Sequence, residues 1–276
     1  MPHVVAFLNQ KGGVSKTSSC FHLSGALAKA GRRVLLVDND PQASLTQGFF
    51  GPEATSAIPA GSSVAALYDP ESDVSPESLI IPTPIGRVSL VPGSIALADC
   101  NVPLRLADAE ALAGLRRLIE SASDDFDICL IDCPPNLYSC ATAALIAATH
   151  LVVPLQAEDF GSQGLAPVRA AFAAVQGGPN PALRLAGYLL AMFDKRLAVH
   201  QTYEAILRRH YGADVFESVV PRAKDFVEAV AARTPLSHHK PKGAAAKAVA
   251  TLAEELLERI GWVKDQARDQ AERGAA

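Results

Sequence analysis

One stretch constrains this chain more than any other: Gln10-Lys11-Gly12-Gly13-Val14-Ser15-Lys16-Thr17-Ser18. It follows the apolar run Val4–Leu8, which reads as a buried strand. It precedes Cys20–Ala28, whose apolar residues recur at helical spacing. A glycine-rich turn at a strand–helix junction, with Lys-Thr at the helix start, suits phosphate. Backbone N–H groups from Gly12 to Ser18 are expected to point into one concavity. Lys16 adds a point charge for the β- and γ-phosphates, and the Thr17 hydroxyl can ligate Mg²⁺. The plain motif needs glycine where this chain has Gln10 and Ser15. If position 15 requires positive φ, a serine there costs about 1 kcal/mol or more. By itself the stretch leaves open a glycine-rich turn that binds no nucleotide.

The following residues extend the pattern. Gly31-Arg32-Arg33 reads as a helix stop, and Val34–Val37 as a short buried strand running into Asp38-Asn39-Asp40-Pro41-Gln42. Strand, helix, strand in so few residues implies a parallel pair with a right-handed crossover. Acidic residues just past such a strand sit at the ligand edge, although Asp-Pro there also reads as a turn or helix cap. The run from Asp127 to Asp132 is an apolar strand ending in aspartate, a Walker B arrangement in which Asp132 would meet a hard cation. Further strands are expected at Val88–Val91, Leu151–Leu155 and Leu185–Phe193. Helices are expected at Asp108–Ser123, Ala141–Ala148, Leu165–Val175, Thr202–Tyr211 and Gly243–Ile260, with a helical turn at Ile95–Asp99. Residues 51–86, rich in Pro, Gly and Ser, read as loop with short helical pieces, one of them Ser63–Tyr68. The expected fold is one α/β domain over residues 1–261, with a mostly parallel central sheet and helices on both faces. Residues 262–276 read as a polar tail.

Three segments in order now carry a resemblance. Lys11-Gly12-Gly13-Val14-x-Lys16-Thr17, Val37-Asp38-x-Asp40-Pro41-Gln42-Ala43-Ser44 and Asp132-x-Pro134-Pro135 resemble the signatures of the ParA/MinD family of deviant Walker A ATPases. The likeness runs from Val4 to about Ile260 and is nearest to the Soj-like ParA branch without an N-terminal helix-turn-helix. It implies a P-loop NTPase fold, ATP and Mg²⁺ as cofactors, and weak, partner-stimulated hydrolysis. By the resemblance, Asp40 positions the attacking water, and Asp38 supports the magnesium site with Thr17 and Asp132. Lys11 would cross to the nucleotide of a second subunit in an ATP-dependent homodimer. Val219-Val220-Pro221-Arg222 resembles the family's Ile-Pro-Arg, so Pro221 and Arg222 would lie near adenine. Three departures stand out: Ser15 for glycine, Ala223-Lys224 where asparagine often follows, and His238-His239-Lys240 in place of tyrosine-aspartate.

Partners are less constrained. A net charge of −4 does not suggest a nucleic-acid binder. Yet Lys195–Lys247 holds ten Lys or Arg against five Asp or Glu, leaving a balance of −9 for the remainder. ParA-type members coat non-specific DNA as ATP dimers and are released by a ParB-like or adaptor partner. The candidate phosphate contacts are Lys195, Arg196, Arg222, Lys224, Lys240 and Lys242. MinD-type members instead bind membranes through a C-terminal amphipathic helix. Leu256–Val263 has some of that character, but the mixed charges after it favour a helix that closes the domain. No run is long and apolar enough to span a bilayer, and a strand starting at Val4 leaves no signal peptide. The expected location is cytoplasmic and nucleoid-associated. Ser15 also leaves open a nucleotide-dependent scaffold with little hydrolysis. The five cysteines read as reduced, buried hydrophobes, and His238-His239 as a solvated turn.

Overall fold

The structure, a computed structural model, describes residues 2–157 and 162–262. Its seven strands are β1 (His3–Phe7), β2 (Val34–Asp38), β3 (Ile81–Pro82), β4 (Val88–Val91), β5 (Ile128–Asp132), β6 (His150–Gln156) and β7 (Arg184–Ala191). They form one sheet in the order β3-β4-β2-β5-β1-β6-β7, parallel throughout except for β3. The central strands are apolar apart from His3, Asp38 and Asp132 at their ends, because both faces are covered. Alternate side chains serve two separate cores: Val4, Ala6, Leu35, Val37, Cys129 and Ile131 face one, while Val5, Phe7, Val34, Leu36, Ile128 and Leu130 face the other.

The helices are α1 (Lys16–Lys29), α2 (Ser44–Phe50), α3 (Pro52–Ser56), α4 (Leu97–Cys100), α5 (Ala109–Ser121), α6 (Ser139–Ala147), α7 (Ser162–Gln176), α8 (Ala198–Tyr211), α9 (Lys224–Ala231), α10 (Leu236–His239) and α11 (Ala244–Arg259). Helices α5 to α8 cover the first core, and α1, α2, α10 and α11 the second. This is the expected α/β architecture with helices on both faces. The order β2-β5-β1 has a functional consequence. Asp38 at the end of β2 lies in register with Asp132 at the end of β5, and Asp132 with Phe7, which leads into the glycine-rich loop. The three sequence motifs therefore meet at one sheet edge.

Helix α1 begins at Lys16, as the Lys-Thr pair at the expected helix start implies. Several elements differ from the sequence reading. Helices α2, α9 and α10 were not expected; α9 is short and amphipathic, with Ala229 buried and Phe226 packed on the second core. Residues 51–86 do contain the expected short helical pieces, α3 and a 3-10 turn at Val64–Tyr68 that is buried throughout, but also an antiparallel edge strand β3 that was not expected. His238 and His239 belong to α10 rather than to a simple turn. In α11, Val249, Leu252, Leu256 and Leu257 are buried in the second core, so the helix closes the domain. Trp262, the first residue of the expected polar tail, packs against the second core, and residues 263–276, Val263 among them, lie outside the described residues. Among the described residues no helix is long and apolar enough to cross a membrane. Cys20, Cys129, Cys133 and Cys140 are buried and Cys100 partly so, and all five are free thiols.

Candidate nucleotide site

The loop after β1 is held by side chains that thread between strands. Asn9, buried at the strand end, donates through Nδ2 to the Pro154 carbonyl at 2.7 Å and accepts the Lys11 N–H at 3.0 Å. Gln156, at the end of β6, donates to the Gly13 carbonyl at 2.8 Å. Gly13 takes φ +77°, and Ser15 takes φ 70° and ψ 25°, the left-handed conformation that glycine adopts without cost. The Ser15 carbonyl then accepts the Ser19 N–H at 2.8 Å and starts α1. Lys16 is buried, and its ammonium donates to the Lys11 carbonyl at 3.1 Å across the loop. Burial lowers its pKa, and Asp132 is the main group opposing that shift.

The two carboxylates below the loop are fully buried. Asp38 Oδ2 accepts from both the Thr46 N–H at 2.7 Å and the Thr46 hydroxyl at 2.6 Å. Thr46 in turn accepts the Gly93 N–H at 2.8 Å. Asp38 Oδ1 and both oxygens of Asp132 have no hydrogen-bond partner. Burial pushes the Asp38 carboxyl up to about 6, against the opposing bonds from Thr46. Burial, then the charge of Asp38, raises Asp132 well above the usual carboxylate range. The Thr17 hydroxyl draws Asp132 back toward ionisation but stands outside full hydrogen-bond geometry. Three orphaned carboxylate oxygens beside a threonine hydroxyl fit a divalent cation. Among the described residues no three His, Cys, Asp or Glu side chains converge on one point. That suits magnesium, which takes one or two carboxylates and completes its shell with water and phosphate.

Above these residues opens a cavity of about 950 Å³. Gly12, Gly13, Ser15, Lys16, Thr17 and Ser18 line one end, with Asp40 beside them. Pro221, Arg222 and Phe226 line the other. Val14 is instead buried beneath the loop, and Lys11 is exposed. The segments expected to hold phosphate and adenine thus share one cavity. A family model described as an AAA domain matches residues 2–185. The chromosome-partitioning ATPase Soj of Thermus thermophilus is 37% identical over 93% of this chain and 96% of that protein. The chain belongs to the ParA/MinD family. It is a P-loop ATPase of that family, and the chromosome partitioning protein ParA of Caulobacter vibrioides is 32% identical over 93% of this chain and 94% of its own. Cobyrinic acid a,c-diamide synthase from Mycobacterium smegmatis, solved with a bound ATP analog and magnesium, superposes with a TM-score of 0.78 at 30% identity, covering 95% of this chain and 96% of that one.

Within this ParA/MinD fold, Asn9, Thr46 and Gln156 are site residues that the sequence reading did not single out. Asn9 carried a faint signal, a polar residue ending an apolar strand. Thr46 carried none, because its partner Asp38 lies eight positions away on another element. The candidate DNA contacts separate into two groups. Arg196 is forked onto Asp194 at 2.7 and 2.9 Å. Lys240 binds Asp225 at 2.8 Å and also Glu228, while Lys224 reaches Glu228 at 3.4 Å. Lys195, Arg222 and Lys242 are exposed and make no ion pair among the described residues.

Proposed function

We propose that the chain is an ATP-switched ATPase that dimerises on Mg·ATP, binds non-specific DNA as the dimer, and positions cargo with a partner protein. The loop, Asp40 and the Pro221-Arg222 wall line one cavity, and the orphaned carboxylates Asp38 and Asp132 lie buried at neighbouring strand ends; this supports the nucleotide part of the reading. Loop amides and Lys16 take the β- and γ-phosphates. Asp38, Asp132 and Thr17 hold the magnesium, which when bound spreads the charge of the phosphates. Asp40, at the cavity wall, aligns the attacking water. Pro221 and Arg222 border the base.

Lys11 is exposed, and in the dimer a second subunit's nucleotide would meet it. A cation delivered there offsets charge that develops in the transition state. Hydrolysis then dissolves the dimer and ends its affinity for DNA. Lys195, Arg222 and Lys242 are the cations best placed for phosphate, since Arg196, Lys224 and Lys240 already have carboxylate partners. Light scattering of two variants tests the assignment. Asp40→Ala should still dimerise with ATP and lose hydrolysis, whereas Lys11→Ala should stay monomeric. A monomeric Asp40→Ala protein or a dimeric Lys11→Ala protein contradicts it.

A further inference from the structure

The backbone of Asp40 is tied into a turn, its carbonyl accepting the Ala43 N–H at 2.8 Å, but its side chain is lightly held. Among the described residues its carboxylate accepts one hydrogen bond, from the Gln42 N–H at 3.0 Å. Strand β2 has already ended at Asp38. The aim of Asp40 therefore depends on how the backbone just before it is fixed, and Asn39 fixes it. The Asn39 N–H donates to the Asp132 carbonyl at 3.0 Å. Its side chain is fully buried and points away from the cavity with both ends used. Nδ2 donates to the Cys140 carbonyl at 2.8 Å, and Oδ1 accepts the Tyr68 hydroxyl at 2.8 Å.

Tyr68 comes from far along the chain and is itself held rigidly. It ends the buried 3-10 turn Val64–Tyr68, whose first N–H donates to the Pro92 carbonyl at 2.8 Å. That turn lies hard against α5. A Cβ on Gly114 would stand 2.0 Å from the Leu67 carbonyl oxygen, so only glycine lets the two backbones meet. The turn thus forms a fixed platform that reaches the site through the Tyr68 hydroxyl, which bonds the Asn39 amide and also faces the Cys140 thiol.

We propose that Tyr68 and Asn39 are a positioning pair that aims Asp40 at the attacking water. The inference rests on the water-orienting role given to Asp40. Neither side chain lines the cavity, so neither contacts nucleotide. Loss of the Tyr68 hydroxyl leaves a buried amide oxygen without a partner and frees Asn39 to rotate. Displacement of a catalytic group by an ångström can cost on the order of a hundredfold in rate while leaving substrate contacts in place.

The test uses single-turnover cleavage with saturating Mg·ATP, binding of a non-hydrolysable ATP analogue, and thermal melting. Tyr68→Phe should slow cleavage about tenfold or more and leave the analogue Kd within about twofold. Added to Asp40→Ala, the same substitution should slow residual cleavage no further. Native turnover in a folded Tyr68→Phe protein overturns the proposal. So does an equal slowing in both backgrounds, or a Kd that rises in step with the lost rate, since either marks a merely structural role. Should Tyr68→Phe fail to fold, pairing it with Asn39→Leu replaces both partners by apolar groups of similar shape. That double variant should fold and remain slow, and native turnover from it overturns the proposal equally. Asp40→Ala measured on its own keeps the two readings apart: if it hydrolyses ATP normally, the role of Asp40 fails first.

Discussion

Replacing Asp38 by asparagine should make the nucleotide-free protein more stable while weakening its hold on magnesium. The Asp38 carboxyl is displaced from 3.8 to about 6, chiefly by burial. Above pH 6 the folded state must ionise a group that the unfolded chain ionises freely. At 1.36 kcal/mol per decade, this sets a penalty of about 3 kcal/mol. The sign follows from proton counts. Between pH 4 and 6 the folded state holds the extra proton on Asp38, so this group's contribution to native stability falls as pH rises through that window and is level above it. Asparagine fits the site: its oxygen can accept both Thr46 bonds, and its amide replaces the orphaned Oδ1 opposite Asp132. For a chain of this size about 3 kcal/mol corresponds to a rise in Tm of several degrees. Melting in EDTA at about pH 7.5 should show that rise, and at about pH 5 roughly half of it should remain. Saturating Mg·ATP should reverse the order, since the native protein gains ligand stabilisation that the variant lacks. A variant less stable than native at pH 7.5 without nucleotide, or a gain that does not shrink at pH 5, refutes the reasoning.

Other outcomes follow from the same geometry. Lys16→Ala should lose Mg·ATP binding measured by calorimetry, because the phosphates lose their one buried cation; equal affinity would refute the loop assignment. Ser15→Gly should raise apo stability by about 1 kcal/mol, since Ser15 sits at φ 70°, and should change ATP affinity by no more than a few-fold. Lys242→Ala should reduce DNA retention more than Lys240→Ala, whose side chain is already paired with Asp225 and Glu228. Filter binding over a salt series would show this.

Much of the fold was legible because the strands are short, apolar on both faces and each closed by a recognisable residue. Val34–Asp38 and Ile128–Asp132 end in the aspartates that the site uses, and Gly13, Lys16 and Thr17 mark the loop by type and spacing. Helix α9 is only eight residues long, and its apolar stripe of Phe226, Ala229 and Val230 went unrecognised in so short a run. What else was hidden depends on contacts across the chain. Tyr68 read as the end of a short helical piece, but its purpose was hidden because its hydroxyl meets Asn39, 29 positions away. The ion pairs of Arg196 and Lys240 were invisible for a related reason. A positive count over a segment does not reveal which cations already face carboxylates.

The most direct test of the switch is sedimentation of the native protein with non-specific duplex DNA at low salt, in Mg·ATP and in Mg·ADP. The account predicts that the protein sediments with DNA in ATP, stays in the supernatant in ADP, and is released from DNA steeply as salt rises. Equal retention with both nucleotides would contradict it. So would a protein that ignores DNA in ATP and sediments instead with anionic vesicles.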